Sequence, residues 1–360
     1  MTITHLLVNR ASFDKTKIVK RDVPMLAEGE VLIKTGEFAL TANNITYAFA
    51  GDTIGYWKFF PEAGDEWGVV PVWGFGEVVE SNCPELPVGD RFWGFLPMAS
   101  HLVMKPVKVR DHGFVDGAEH RQGLPLIYND YQRTQNDTPA LAAIPDERSL
   151  LFPLLITSYL IADYLEDNAL FGAEQVIISS ASSKTGFGTA HYTGTLANRP
   201  GQIIGLTSDA NVDFAQSLGL YDQVITYDQL GTLDRTVPTA YVDMSGNSDI
   251  RAALHHHFGD QMKASISVGA THWEAPRNNA ELPGAKPAMF FAPSQIVKRN
   301  ADWGPGVMLG KAQAANIAFA ATLTDLVTVR HFSGADAVKA QYEAMVCGAT
   351  PPTQGVILNF

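Results

Sequence analysis

The residues with the most evident chemistry lie together between Gln175 and His191, in the segment QVIISSASSKTGFGTAH. Val176, Ile177 and Ile178 form the apolar run of a buried strand. Ser179 to Thr185 then supply a turn of small, mostly hydroxylated residues before Gly186 and Gly188 lead into a helix. That order suits the pyrophosphate of a dinucleotide, because small side chains let backbone N–H groups approach phosphate oxygens and a helix N-terminus presents partial positive charge. The candidate contacts are Ser182, Ser183, Lys184, Thr185 and Gly186. A glycine-rich fingerprint would have three glycines where this chain has Ala181, Ser183 and Gly186, so an ordinary strand–turn–helix connection is the competing reading. Ser-Lys-Thr also suggests a P-loop, but the Gly-x-x-x-x-Gly-Lys frame is absent, which argues against ATP.

The elements that must position this turn follow from the rest of the chain. With 360 residues, 46% of them hydrophobic, the protein can bury a large core, and its length favours two domains over one. A net charge of −12 disfavours nucleic acid or an anionic membrane as partner, since both require basic surface. Two cysteines, Cys83 and Cys347, allow no disulfide framework and no multi-cysteine zinc site. The N-terminus has no apolar leader core, and no run approaches the length of a membrane span, so the expected location is the cytoplasm.

From Val8 to about Val109, short apolar runs alternate with Gly, Pro and Asp turns, the texture of a small β-barrel-like domain. Residues 110–140 are polar and poorly periodic and read as a long surface loop, whose Tyr128 and Tyr131 either line a cleft or pack the loop down. Helical spacing appears from Leu150 to Leu165. Strand-like runs follow at about 176–180, 202–206, 223–226, 240–244 and 263–268, with helical patterns between most of them, which predicts a parallel, doubly wound sheet. A helix over 307–323 and a closing helix and strand complete the chain. The aromatic residues Tyr56, Trp57, Phe59, Phe60 and Trp67 suit either an apolar substrate pocket or a domain core.

GEVLIKT, LTANNITYAFAGD, GFGEVVES, VGDRFWGF, IPDERSLLFPLLITSYLIADYL, the serine-rich turn, GLTSDANVDFAQSLGLYDQVITYD, YVDMSG, SVGATH and GVILNF occur in an order and spacing that span nearly the whole chain. Together they resemble the medium-chain dehydrogenase/reductase superfamily, in its zinc-free quinone oxidoreductase and enone reductase branch. The resemblance implies an α/β protein. A GroES-like, β-barrel-like catalytic domain would occupy residues 1–149, a Rossmann cofactor domain residues 150–305, and residues 306–360 would return to the first domain. It also implies a cleft between domains, a homodimer formed through the MFFAP edge strand, and a small apolar or aromatic carbonyl or quinone as substrate.

Zinc-dependent members carry a cysteine within the stretch matching Ala39–Thr46 and a His-Glu pair near Gly74–Glu77. This chain has neither, and zinc needs three protein ligands and an open position. His255, His256 and His257 are no substitute, because consecutive helical residues point about 100° apart, and the triple reads as a solvated helix end. His191 and His272 read as structural, although His272 follows the SVGAT loop closely enough to approach a nicotinamide.

In this superfamily an acidic residue ends the second strand of the cofactor domain when NAD is preferred. Thr207 and Ser208 stand there in this chain, which favours NADP(H). Asp209 reads as the cap of the next helix; turned toward the ribose it would reverse the preference. Lys184 reads as neutralising the pyrophosphate, reaching the 2′-phosphate, or facing solvent. The resemblance also implies that Tyr227 packs near the adenosine, that Thr157 and Asn43 touch the cofactor, and that Ser245, Gly246, Gly269 and Ala270 line its nicotinamide side. Lys298 and Arg299 are further candidate phosphate contacts, with surface solubility as the alternative.

Hydride transfer to an activated alkene needs a positioned acceptor carbon and a donor for the developing enolate oxygen. Tyr47 or Tyr56 would donate, with Asn44 positioning, and core packing is the competing role for both phenols. The expected activity is therefore an NADPH-dependent, zinc-independent reductase of an α,β-unsaturated carbonyl or quinone. The alternatives are an enoyl-thioester reductase, which would want a basic entrance, and a binding protein that senses or stores NADP(H) without turnover.

Overall fold

A computed structural model describes residues 1–269, 282–323 and 326–360. The chain forms two compact units, one of Met1–Leu150 with Val327–Phe360, the other of Leu151–Leu326.

The first unit is built on strands β1 (Thr2–Asn9), β2 (Ser12–Asp22) and β3 (Val31–Leu40), helix α1 (Ala42–Phe49), and strands β4 (Trp67–Gly68), β5 (Pro71–Ser81), β6 (Arg91–Pro97) and β7 (His101–Met104). Strands β8 (Pro106–Arg110), β9 (Gly113–Asp116) and β10 (Asp130–Arg133) and the short helix α2 (Pro139–Ala142) occupy the stretch read as a surface loop. That expectation is corrected. β8, β9 and β10 extend the sheet beyond β6, and Tyr131 is wholly buried, stacked on Phe114 at 5.3 Å and donating its hydroxyl to the Phe95 carbonyl at 2.7 Å. These strands are four or five residues long, too short for alternation to show. Buried polar groups disguise the segment further: Arg121 Nε lies 2.9 Å from Asp116, and Arg121 Nη1 donates to Asn129 at 3.0 Å and to the Tyr131 hydroxyl at 2.9 Å.

Helix α3 (Pro145–Asp167) carries the chain from the first unit into the second. Among the described residues it is the one helix long and apolar enough to cross a membrane, which corrects the expectation that no run approaches that length; 67% of its most apolar stretch is buried within the protein, so it is a core helix. Acidic residues at both ends, Asp146 and Glu147, then Glu166 and Asp167, concealed its length in the sequence.

The second unit contains β11 (Gln175–Ser179), α4 (Lys184–Gly194), β12 (Gln202–Thr207), α5 (Val212–Ser217), β13 (Gln223–Thr226), β14 (Thr239–Asp243), α6 (Ser248–Phe258), β15 (Met262–Ser267), β16 (Ala288–Met289), α7 (Ala292–Trp303) and α8 (Val307–Ala320). The sheet runs β13-β12-β11-β14-β15-β16 with every pairing parallel, the 3-2-1-4-5-6 order of a Rossmann sheet. Val176 and Ile178 pack into one core with Ile161, Leu165 and Val242, whereas Ile177 joins Ile204, Tyr241 and Leu254 on the other face. Both faces are covered, which is why the strand is apolar at consecutive positions. Helix α8 belongs to this unit rather than to the return segment expected from residue 306, because Tyr192 donates to Asn316 at 2.7 Å and His191 stacks on Phe319 at 3.7 Å.

The return begins at Val327 and supplies β17 (Thr328–Ser333), α9 (Ala335–Val346) and β18 (Gln354–Asn359). β18 lies antiparallel to β3 and parallel to β17, giving the sheet order β17-β18-β3-β5-β6-β10-β9-β8. His331 on β17 sits between Glu37 on β3, at 3.1 Å from Nδ1, and Asp146 at the start of α3, at 3.0 Å from Nε2. The three ligand atoms lie within 4.8 Å, but opposite ring nitrogens meet the two carboxylates, so they form an ion-pair latch and not a converging ligand set. Desolvation lowers the His331 pKa, and the two carboxylates outweigh it, leaving the pKa raised. A raised histidine pKa contributes stability in full below the unfolded value and loses it as pH rises through the folded value. His331 and Glu37 are half exposed and Asp146 partly so, so we expect the melting temperature to fall by only about 1–2 °C between pH 6 and pH 8. His331→Gln should abolish that fall, and a fall of equal size in the variant would place its origin elsewhere.

Candidate functional site

The serine-rich turn closes the carboxyl end of β11. Ser180 adopts a left-handed conformation with φ +48°, and its N–H donates to the Tyr227 hydroxyl at 3.1 Å, which seats that phenol on the turn. Ser183 caps the eleven-residue α4, accepting from the Gly186 N–H at 3.0 Å. A Cβ at Gly186 would stand 2.6 Å from the Ser180 carbonyl oxygen, so backbone meets backbone there and only glycine fits. At Gly188 a Cβ would meet Leu155 and Ser158 of α3 at 2.7 Å. The missing first glycine is compensated from the neighbouring strand: Gly205 on β12 leaves space for the Ala181 methyl, which a Cβ there would approach to 2.9 Å.

Lys184 is the first residue of α4. Protein atoms crowd its ammonium enough to push its pKa down to about 8. Thr207 is buried at the end of β12 with its hydroxyl 3.5 Å from that of Ser182, and Ser208 is exposed beside it. Asp209 does not cap the following helix as expected. Ser208 stands at the cap of a short 3₁₀ turn and accepts from the Asn211 side chain at 3.1 Å, while Asp209 is an exposed residue of the turn's first position. Thr157 donates to the Pro153 carbonyl within its own helix at 3.1 Å; its neighbour Ser158, which sequence reasoning passed over, reaches the Thr185 carbonyl at 2.9 Å.

At the carboxyl end of β14, Ser245 is buried and Gly246 has φ +68°. Both are held by Asp243, which accepts from the Ser245 N–H at 3.1 Å, the Ser245 hydroxyl at 2.8 Å and the Gly246 N–H at 2.9 Å. The Gly269 N–H, from the end of β15, reaches the Asp243 carbonyl at 3.3 Å. Ala270 and His272 lie outside the described residues. Lys298 and Arg299 are paired with carboxylates, Lys298 with Asp167 and Asp302 at 2.8 Å and Arg299 with Asp163 at 2.8 Å, which corrects their reading as phosphate contacts. His255 is fully buried, with Pro283 O at 2.8 Å and Ser265 Oγ at 2.9 Å, and so is not part of a solvated helix end. A surface cleft of about 620 Å³ lies at the amino ends of β11 and β12, opposite the turn, so it is not the phosphate site.

The first unit gathers the phenols. Asn44 caps α1, its Oδ1 accepting from the Thr41 N–H at 2.7 Å and its Nδ2 donating to the Pro71 carbonyl at 2.8 Å. Its polar atoms hold the start of the helix and the Pro71 carbonyl. Tyr47 accepts from Trp73 Nε1–H at 3.0 Å, and Asn43 also engages its hydroxyl. Tyr56 and Tyr128 share a hydrogen bond of 2.9 Å. The rings of Tyr47 and Tyr56 lie 4.6 Å apart, and Phe95 is 4.8 Å from Tyr128. Burial pushes all three phenols above their ordinary value, so near neutrality each is an un-ionised O–H donor. Trp57, Phe59 and Phe60 are buried with the phenols.

The family model described as a protein of unknown function (DUF2855) matches residues 38–351. The chain belongs to the DUF2855 family. No curated protein matches its sequence. Among solved structures, this DUF2855 protein is similar to CurA from Vibrio vulnificus in complex with NADPH, at 12% identity and a TM-score of 0.62 over 99% of this chain and 98% of that one. It is also similar to the Etr1p/NADP/crotonyl-CoA complex, at 14% identity and 0.59 over 100% of both chains, and to the quinone oxidoreductase from Coxiella burnetii, at 14% identity and 0.54 over 100% of both. These likenesses show the fold, that of the medium-chain dehydrogenase/reductases, which the sequence motifs resemble. They leave the side chains of the DUF2855 site to be interpreted on their own chemistry.

Proposed function

We propose that this DUF2855 protein binds NADP(H) and reduces a small apolar α,β-unsaturated carbonyl or quinone without a metal. The observation that carries the proposal is the Ser180–Gly186 turn, where a Cβ-free position and a capped helix N-terminus form a phosphate cradle at the carboxyl end of the first Rossmann strand. NADPH, when bound, supplies the hydride. The Lys184 ammonium adds the turn's cation, and the neutral Thr207–Ser208 pair places no carboxylate at the strand end to repel a 2′-phosphate. Tyr47, Tyr56 and Tyr128 are the candidate donors to an acceptor oxygen that gains negative charge. The exposed edge at Ala288–Met289 is where a second copy would add.

Calorimetric titration with NADPH and NADH tests the cofactor, and absence of binding by either would overturn the proposal. Lys184→Ala is expected to weaken NADPH by roughly 3–30-fold and NADH by less. In the wild type that preference should shrink as pH rises through about 8, where the ammonium loses its charge. Equal losses for both cofactors would move Lys184 to the pyrophosphate. Enones, quinones and enoyl thioesters belong in the activity panel, the last because Etr1p was solved with crotonyl-CoA. A second reading, NADP(H) binding without turnover, is favoured by the burial of Tyr47 and Tyr56, whose hydroxyls are already hydrogen-bonded. It predicts tight NADPH binding with no oxidation in the presence of any acceptor.

A further inference from the structure

We infer that Asp243 is a positioning residue for the nicotinamide half of the cofactor, acting through the backbone at the ends of β14 and β15; the inference rests on the cofactor reading above. Asp243 is the last residue of β14, and its side chain is completely buried. A single carboxylate oxygen, Oδ1, accepts from the Ser179 hydroxyl at 3.1 Å, the Tyr241 hydroxyl at 3.0 Å, and the three Ser245 and Gly246 donors described above. The other oxygen faces Arg251 Nη1 at 3.2 Å. Ser179 completes the joint by accepting from the Met244 and Ser245 N–H groups at 3.0 and 3.2 Å.

This joint connects two strand ends with different duties. Ser179 directly precedes the phosphate turn on β11, while residues 244–246 follow β14 on the other half of the sheet. A doubly wound sheet of this order binds one mononucleotide half on each side of its first strand, at the carboxyl ends. With the phosphate turn on β11 and the β12 end assigned to the adenosine side, the β14 and β15 ends face the nicotinamide side. The Asp243 backbone reaches the second of these as well, since its carbonyl accepts from Val268 at 2.9 Å and Gly269 at 3.3 Å. A Cβ at Gly269 would come within 2.6 Å of the Met244 carbonyl, so the two strand ends are fitted closely to one another. Buried charge is costly in a merely structural role, because apolar residues of similar volume commonly match or exceed the stability of a buried ion pair. Here the charge orients donors on a short bend whose last residue, Gly246, is left-handed.

The test compares NADPH with 2′,5′-ADP, which carries the adenosine half and its 2′-phosphate but no nicotinamide, by calorimetry on the full chain. Asp243→Asn should weaken NADPH by about 10–100-fold and leave 2′,5′-ADP within about twofold of wild type. Should that variant fold poorly, Arg251→Gln, at a side chain already partly exposed, should show the same selectivity with a smaller loss of about 3–10-fold. Equal losses for both ligands, or no loss for either, would overturn the inference and reduce Asp243 to a structural residue. If wild-type protein binds neither ligand, the cofactor reading falls and the inference with it. If wild type binds both and only the selectivity is missing, the cofactor reading survives alone.

Discussion

Gly186→Ala is expected to weaken NADPH and 2′,5′-ADP alike by roughly 10–100-fold, about 1.4–2.8 kcal/mol. The added methyl would sit 2.6 Å from the Ser180 carbonyl oxygen, a backbone atom with no rotamer by which to withdraw. Relief requires moving Ser180, which already holds a left-handed φ of +48° and carries the N–H that binds Tyr227. The distortion would therefore spread to both walls of the cradle. Gly310→Ala is the control. Gly310 lies exposed on α8 with nothing within 4 Å of the added Cβ, so alanine there should leave binding unchanged and stabilise the helix by about 0.5–1 kcal/mol. Wild-type affinity in Gly186→Ala would remove the turn from the phosphate site.

Arg121→Met should destabilise the first unit by about 3–5 kcal/mol and lower its melting temperature by roughly 10 °C. Arg121 and Asp116 have side chains only 1% and 2% exposed, 2.9 Å apart, and methionine would leave the aspartate buried without its counter-charge. The guanidinium also covers the Phe60 ring at 4.7 Å, so packing is lost along with charge. Replacing both partners, Arg121→Met with Asp116→Leu, should recover much of the loss, because no charge is then stranded. Thermal unfolding followed by circular dichroism decides the matter. A drop below about 3 °C for the single variant, or no recovery in the double, would show that the pair contributes little.

Features whose signal is local were legible in the sequence. The five parallel strands β11 to β15 appear within a residue or two of their expected positions because each is a largely apolar run in a sheet covered on both faces, whereas β16, two exposed residues long, carries no such signal; the serine-rich turn is recognisable because strand, turn and helix start are contiguous. Residues 110–140 were misread because their strands are too short to show a period and their polar residues are satisfied by distant partners. Lys298 and Arg299 invited a phosphate role only while Asp163, Asp167 and Asp302 were not known to face them. Asp243 was visible in YVDMSG as one acidic residue among 38 Asp and Glu, and nothing in its neighbours marks it as a hub. The matching signal, Ser179, lies 64 residues earlier.

By itself, then, the sequence determined the parallel strands β11 to β15, the serine-rich turn after the first of them and the neutral residues at the end of the second, since hydrophobic period and turn chemistry act over a few neighbouring residues. Tertiary structure alone decided that Tyr56 meets Tyr128 across 72 positions, that Asn44 is consumed in capping, and that a buried aspartate ties the two halves of the sheet together. Those outcomes depend on which donors a fold brings within 3 Å of an acceptor and which groups it removes from water, and neither distance nor burial is encoded at any single position.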